Sequence, residues 1–93
     1  MLVAIEGIDG SGKATQTRLL VERCVQEGLT ATKIAFPQYG RTPFAEAISE
    51  YLNGRFGGVG DVHPKLASVL FAADRFAARD ALIRGMAEFD VVV

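Results

Sequence analysis

Residues 2–13 read LVAIEGIDGSGK, and this stretch decides the fold. The apolar or small residues from Leu2 to Ile5 predict a short buried strand. Gly7, Gly12 and Lys13 then stand at the offsets of the phosphate-binding loop G-x-x-x-x-G-K-[ST]. Apolar residues at helical spacing follow, and they predict a helix over about 12–27. Strand, glycine loop and helix in this order predict a loop that binds phosphate.

The physical chemistry of such a loop is specific. Gly7, Gly10 and Gly12 are expected to turn the backbone with positive φ, where a side chain would clash. Successive amides then point inward and form a nest for phosphate oxygens, and the helix dipole faces the same anion. Lys13 adds a mobile charge for the outer phosphates. The predicted phosphate-binding residues are Gly7, Ile8, Asp9, Gly10, Ser11, Gly12, Lys13, Ala14 and Thr15.

One position departs from the motif. Ala14 follows Lys13, where the motif has Ser or Thr as a magnesium ligand. Thr15 lies one residue later and could cap the helix or reach phosphate. Mg²⁺ is therefore expected to depend on water, phosphates and carboxylates, and Asp9 is the nearest candidate ligand. The alternative is a glycine-rich turn that has no ligand.

The remaining chain alternates strands and helices. Thr30–Phe36 predicts a second strand, which proline closes in the segment FPQYG. Thr42 before Pro43 predicts an N-cap and a helix to about residue 53. Pro64 is expected to open one long helix to about Arg84, with a core stripe formed by Leu66, Val69, Leu70, Ala73, Phe76 and Ala77. The final valines, 91–93, predict a buried parallel strand.

This order, β-α-β-α-α-β, predicts an α/β fold with a parallel sheet and helices on both faces. Ligands bind at the carboxyl ends of the strands. The phosphate loop and the segment FPQYG are both expected at that edge.

Composition narrows the class of protein. The 93 residues suffice for one small domain, and 49% hydrophobic residues indicate a globular chain. A net charge of −1 provides no basic footprint for nucleic acid. No apolar run reaches the length of a membrane span, and the N-terminus lacks the pattern of a signal peptide. The single cysteine, Cys24, cannot form an internal disulfide and suits a cytoplasmic protein.

Three motifs together resemble one family. AIEGIDGSGKATQ at 4–16, FPQYG at 36–40 and LFAADR at 70–75 are similar to the thymidylate kinases, which are P-loop nucleoside monophosphate kinases. The resemblance implies a P-loop fold and transfer of the γ-phosphoryl group of ATP, with Mg²⁺, to dTMP. It also implies a homodimer through the long helix, and a cytoplasmic location.

The resemblance also implies roles for individual residues. Lys13 would stabilise charge on the transferred phosphoryl group, and Asp9 would face the acceptor sugar or a magnesium ion. Phe71 would stack on thymine and Arg75 would bond the base edge, while Asp74 would orient Arg75 or anchor the helix. The remaining residues of the predicted dTMP site are Phe36, Pro37 and Tyr39.

Thymidylate kinases continue beyond the third strand with an Asp-Arg pair and a lid segment. Residues 1–93 are therefore expected to be the N-terminal part of a single P-loop kinase domain, with only its first three strands. The isolated chain is expected to be inactive. Alternatives are another P-loop deoxynucleotide or deoxynucleoside kinase, an ATP-binding switch protein, and a non-catalytic fragment that retains a phosphate site. The aromatic residues could also be core residues, and Asp74 with Arg75 a solvated pair.

Overall fold

The computed structural model describes the backbone of residues 1–93 and every side chain except that of residue 59. It contains, in chain order, α1 (Lys13–Gln26), β1 (Ala31–Thr32), α2 (Pro43–Leu52), a 3₁₀ turn (Val59–Asp61), α3 (Pro64–Ala77), α4 (Arg79–Glu88) and β2 (Val91–Val92). The chain forms two compact units. The first unit comprises Met1–Ile34 and Asp80–Val93, and the second unit comprises Ala35–Arg79.

The sheet of the first unit is parallel and small. Ala31 pairs with Val91, and Thr32 pairs with Val92. On the other side of β2, Leu2 forms a single parallel bridge to Val92. The Val92 amide donates to the Met1 carbonyl and the Val92 carbonyl accepts from the Val3 amide, whereas Val91 and Val93 bond to the β1 side.

The predicted strands are longer than the observed ones. The expected strand at Leu2–Ile5 is reduced to the one bridge, so a three-stranded sheet is not confirmed. The expected strand at Thr30–Phe36 is reduced to Ala31–Thr32. Both segments pair with the short strand β2. Between β1 and β2, the backbone bonds extend only from the Thr30 carbonyl to the Ile34 amide.

The valine run is buried on both of its sides, as its sequence predicts. Val91 and Val93 pack with Cys24 of α1, and the half-buried Leu20 and Val21 extend this cluster. Val92 is fully buried and points the opposite way, because successive side chains of a strand alternate. There it meets α4, where a Cβ on Gly85 would lie 3.3 Å from Val92 Cγ2. Helices α1 and α4 thus cover opposite faces of β2.

The second unit is a pair of helices, α2 and α3, with the segment that precedes them. Among the side chains that the structure describes there, the buried ones are Ala45 and Ile48 on α2, and Ala67, Asp74 and Ala78 on or beside α3. Small alanines allow two helix backbones to approach closely, so α2 and α3 pack directly. Asp74 is the one charged residue among these buried positions.

The predicted long helix over 64–84 differs from the structure in its continuity and in its end. Ala78 interrupts it, so that α3 ends at Ala77 and α4 begins at Arg79. At this point the Asp74 carbonyl accepts a bond from Gln38 Nε2 at 3.2 Å, while the Ala78 amide donates to the Arg75 carbonyl. A side chain inserted into the helical ladder is a recognised cause of such a break. The predicted end at about Arg84 is also too early, because α4 continues to Glu88.

The predicted core stripe of α3 is only partly confirmed, because Leu70 and Ala73 are half-buried but its other positions are exposed. Leu66 and Val69 are 60% exposed, and Phe76 is 75% exposed. The buried stripe instead contains Ala67 and Asp74, with half-buried Phe71 between them. Both stripes have helical spacing, so spacing alone does not show which one is buried. The stripe with Asp74 can be buried because its carboxylate has hydrogen-bond partners, and these are not visible in the sequence pattern.

The observed limits and caps of the helices largely agree with those predicted from the sequence. Helix α1 begins and ends within one residue of the predicted limits. Thr42 caps α2 by accepting a bond from the Ala45 amide, and Pro43 is the first residue of that helix. His63 caps α3 through Nδ1, which accepts from the Lys65 amide at 3.2 Å. In the described part of the chain, none of the helices combines the length and apolar character needed to cross a membrane.

The starts of β1 and β2 are joined by a polar clasp. The Thr30 amide and hydroxyl donate to Asp90 Oδ2 at 2.8 and 2.9 Å, and the Asp90 amide donates back to Thr30 Oγ1 at 2.9 Å. The bond from the Thr30 amide, followed by that from its hydroxyl, holds the pKa of Asp90 below its ordinary value of 3.8. The clasp is therefore strongest when Asp90 is ionised.

Replacing Gly85 with a larger residue is expected to destabilise the first unit. Gly85→Val places carbon atoms into the space occupied by Val92, and overpacking of this kind costs about 1–3 kcal/mol. The free energy of unfolding, measured in urea, checks this. Ala81→Val, at an exposed position of the same helix, should cost less than about 1 kcal/mol. Equal losses in the two variants would contradict the close packing of α4 on β2.

The Asp90 clasp predicts a pH dependence with a defined sign. Because the pKa of Asp90 is lowered in the folded state, its contribution to stability is present above pH 3.8 and is lost as the pH falls through the folded value. The free energy of unfolding of Asp90→Asn should therefore differ most from wild type near neutral pH. The difference should shrink on acidification below pH 3.8.

Urea titrations from neutral pH to pH 3 measure this difference at each pH. Glu88→Gln removes another exposed carboxylate and controls for the change in net charge. A difference between Asp90→Asn and wild type that stays constant over the whole pH range would disprove the role assigned to the clasp.

Candidate nucleotide-binding site

The glycine loop of the first unit connects the Leu2 bridge to α1. Gly10 has φ 76° and Gly12 has φ 92°, and both values lie in the left-handed region that favours glycine. Gly12 is the N-cap of α1, and the first intrahelical bond runs from the Gln16 amide to the Gly12 carbonyl at 3.0 Å. The amides of residues 13–15 precede that bond, so they can serve an anion instead.

Gly7 is a glycine for a different reason from the one expected. It does not have a positive φ, in contrast to Gly10 and Gly12. A Cβ at Gly7 would instead lie 2.7 Å from Ser11 Oγ, closer than such atoms approach. The loop therefore folds the Ser11 side chain against the backbone of its own first residue. A side chain at position 7 would force the Ser11 side chain to move away.

Lys13 folds back across the loop. Its Nζ donates to the Gly7 carbonyl at 2.6 Å and to the Ile8 carbonyl at 2.9 Å. Asp9 Oδ1 lies 3.8 Å from the same ammonium group. The start and the end of the loop are thus joined by one charged side chain, which holds the ammonium group beside the N-terminus of α1.

The electrostatics at this end of α1 favour an anion. The first turn contains no acidic residue, so nothing there offsets the positive end of the helix dipole. The Lys13 ammonium adds a full positive charge beside it. The negative charge nearest to Lys13 on the loop is Asp9, whose side chain is fully exposed. A carboxylate in that position can rotate away or accept a cation.

The structure corrects the possible capping role of Thr15, because the N-cap is Gly12. The described residues include no group of three or more His, Cys, Asp or Glu side chains able to hold a metal ion. Asp9 is a single exposed carboxylate beside the loop. This donor set fits Mg²⁺, which is commonly held by one or two carboxylates together with water and substrate phosphates.

The segment FPQY of the second unit is held by hydrogen bonds. The Phe36–Pro37 peptide is cis. The Gln38 amide donates to Asp74 Oδ2 at 2.9 Å, and Gln38 Nε2 donates to the Asp74 carbonyl. Phe36 and Pro37 are half-buried, whereas Tyr39 is exposed. An open cleft of about 490 Å³ begins at Tyr39 and is lined further by Gly40, Arg41, Thr42, Pro43, Glu46 and Ser49.

Helix α3 carries the other predicted acceptor-site residues. Phe71 is half-buried and Arg75 is exposed, one helical turn apart. Asp74 lies between them and is buried, with its carboxylate oxygens bonded to Gln38 and Thr42. It therefore anchors the helix to the preceding segment. The interpretation of Asp74 as a solvated surface charge is wrong.

The predicted site residues fall into two groups. Residues 7–15 belong to the first unit, whereas Phe36, Pro37, Tyr39, Phe71 and Arg75 belong to the second. Within the second unit, the Gln38–Asp74 bonds join the FPQY segment to α3. Sequence reasoning missed Gln38 and assigned Thr42 only to a helix cap. The signal that could have found them is a carboxylate at position 74, on the same helical stripe as Ala67 and Phe71.

A glycine loop of this sequence, placed between a parallel β-bridge and a helix and crossed by its own lysine, defines a P-loop protein. Comparison with known sequences gives the family. The family model described as thymidylate kinase matches residues 5–93. The chain therefore belongs to the thymidylate kinase family.

Individual relatives agree with this assignment. The chain is 37% identical over 94 residues to the thymidylate kinase of Mycobacterium tuberculosis (strain H37Rv), covering 100% of this chain and 43% of the relative. A probable thymidylate kinase of Thermococcus kodakarensis is 36% identical over 97 residues, with 100% and 46% covered. The human thymidylate kinase is 35% identical over 75 residues, with 81% and 33% covered. The chain thus spans less than half the length of these relatives.

Proposed function

We propose that the protein containing these residues transfers the γ-phosphoryl group of ATP to dTMP, giving dTDP and ADP. The observation that carries this proposal is the position of Lys13, whose ammonium group bridges the loop carbonyls at the N-terminus of α1. Relatives that match the whole chain bear the names thymidylate kinase and probable thymidylate kinase. Residues 1–93 are then the N-terminal part of a single P-loop kinase domain.

The phosphate loop supplies position and charge. The amides of the loop and of the first turn of α1 would bind the phosphates of ATP, in the region from Gly7 to Thr15. An oxygen of the acceptor phosphate attacks the γ-phosphorus, the bond from that phosphorus to the β–γ bridging oxygen breaks, and ADP leaves. Negative charge develops on the transferred group and the leaving oxygen. Lys13 is proposed to stabilise this charge.

Magnesium is proposed to enter with ATP. When bound, the ion would neutralise phosphate charge and help to align the transferred group. Because Ala14 has no hydroxyl, Asp9 is the loop side chain assigned to it, together with water and the phosphates. The same carboxylate could instead contact the acceptor sugar, and both assignments use its exposed position.

The second unit is proposed to hold dTMP. Phe71 would stack on thymine, since a half-buried aromatic ring on a helix offers one face as a platform. Arg75 would donate to the base edge, and Phe36, Pro37 and Tyr39 would line the site near the sugar and phosphate. The other P-loop kinases remain the alternative, and a panel of dTMP, dUMP, other monophosphates and thymidine distinguishes them. A cytoplasmic location stays a prediction.

The activity and the role of Lys13 are tested together. The full-length protein is incubated with ATP, Mg²⁺ and dTMP, and the formation of dTDP and ADP is measured. Lys13→Met is expected to lower kcat about 10²-fold or more, as expected for a group that stabilises transition-state charge. Its free energy of unfolding should change by less than about 1.5 kcal/mol, because water can replace its bonds to exposed carbonyls.

Lys33→Met provides the matched control, since it removes an exposed lysine of the same unit outside the loop. It should retain the wild-type kcat. Nucleotide-dependent dimerisation without any acceptor phosphorylation would favour an ATP-binding switch instead. Wild-type activity in Lys13→Met would refute the role of the phosphate loop.

We also propose that the complete protein is a homodimer through α3. The support is the exposed apolar face formed by Leu66, Val69 and Phe76 on the side of α3 opposite its buried stripe. A second copy of the chain could cover this face in an isologous contact.

A charge on this face should weaken such a dimer. Val69→Lys in the full-length protein is expected to shift the molecular mass in sedimentation from dimer toward monomer, because the lysine would be buried in the contact. Ser68→Lys adds the same charge to a neighbouring face of α3 and should leave the mass unchanged. An unchanged dimer in Val69→Lys would exclude this face as the contact.

A further inference from the structure

We infer that Asp74 is a positioning residue for the acceptor nucleotide, acting through the segment Phe36–Tyr39. This inference rests on the function proposed above. The carboxylate would not touch the substrate. It would hold the substrate-lining segment at a set distance from the residues of α3.

Both carboxylate oxygens of Asp74 accept hydrogen bonds from the segment that leads into α2. Its side chain is buried, at 1% exposure. Oδ2 accepts from the Gln38 amide at 2.9 Å, and Oδ1 accepts from the Thr42 hydroxyl at 2.6 Å. A buried carboxylate requires such partners, and bonds to an ionised acceptor are stronger than neutral ones. Among the described side chains, no buried polar atom lacks a partner.

Gln38 is held twice. Its amide bonds the Asp74 carboxylate, and its Nε2 bonds the Asp74 carbonyl at 3.2 Å. Two bonds to one residue restrict both its position and its orientation. Pro37 and Tyr39 are its direct neighbours, so their placement follows from that of Gln38.

Helix α3, which contains Asp74, also contains the residues proposed to bind the base. Phe71 precedes Asp74 by one turn of α3, and Arg75 follows it directly. Asp74 therefore joins the segment proposed to line the sugar and phosphate to the helix proposed to bind the base. A pyrimidine nucleoside monophosphate touches both, so a change in their separation should lower its affinity.

Thr42 completes the connection. Its hydroxyl donates its only proton to Asp74 and accepts from the Ala45 amide at 2.9 Å. The N-terminus of α2 is thus attached to the same carboxylate. Thr42→Ser can keep both bonds, whereas Thr42→Val loses both.

A residue that merely stabilises the unit would leave substrate affinity unchanged well below the melting temperature. The discriminating measurement is therefore the KM for dTMP, compared with kcat and with the KM for ATP, in the full-length protein. Asp74→Asn keeps the size of the side chain, but its amide nitrogen cannot accept, so one of the two carboxylate bonds is lost. Ile48→Val weakens the same core without touching these bonds, and it serves as the control.

Asp74→Asn is expected to raise the KM for dTMP about tenfold or more, in line with the loss of a bond to a charged group. The KM for ATP should stay within about twofold of wild type. Thr42→Val should raise the KM for dTMP in the same direction, while Thr42→Ser and Ile48→Val should remain near wild type. If Asp74→Asn does not fold, the comparison of Thr42→Val with Thr42→Ser decides.

Two results would overturn the inference alone. These are an unchanged KM for dTMP in Asp74→Asn or in the deciding Thr42→Val, and an equal rise in Ile48→Val. In both cases the wild type still phosphorylates dTMP, so the proposed function stands. A full-length wild type that does not phosphorylate dTMP would overturn the proposed function, and the inference with it.

Discussion

Burial of Val91–Val93 on both sides is the constraint on which the first unit depends. These residues bond the Leu2 segment on one side and β1 on the other, while α1 and α4 cover their two faces. Because Gly85 brings α4 against Val92, the helix and strand backbones can approach more closely than a side chain would allow. The glycine loop follows the Leu2 segment directly, so the position of the phosphate site derives from this contact.

The two units hold their candidate binding residues in different ways. In the first unit, the order comes mainly from the backbone, through positive φ values and the N-terminus of a helix, and one lysine side chain bonds the loop carbonyls. In the second unit, one buried carboxylate provides the order, because Asp74 accepts from both the Gln38 amide and the Thr42 hydroxyl. Loss of a single side chain should therefore affect the second arrangement more than the first.

Short sequence motifs predicted those features of the fold that depend only on neighbouring residues. The helix limits near Gly12 and Thr42 and the buried valine run all follow from a few neighbouring residues. The break at Ala78 coincides with the bond from Gln38 to the Asp74 carbonyl, and Gln38 is far away in sequence, so periodicity alone could not predict it. The glycine loop was predictable as a motif. The close approach at Gly7 was not, because it depends on where the Ser11 side chain turns.

Gly12 begins α1 without a side chain that could bond the free amides of the first turn. The order of that turn is then thermodynamically linked to whatever anion it holds. Hydrogen exchange at the amides of residues 13–15 would slow as the site fills, while exchange in the middle of α1 would respond less. The first turn of this helix therefore both binds the anion and reports, through its exchange rates, whether the site is filled. A residue with a capping side chain at position 12 would compete with the ligand for the same donors.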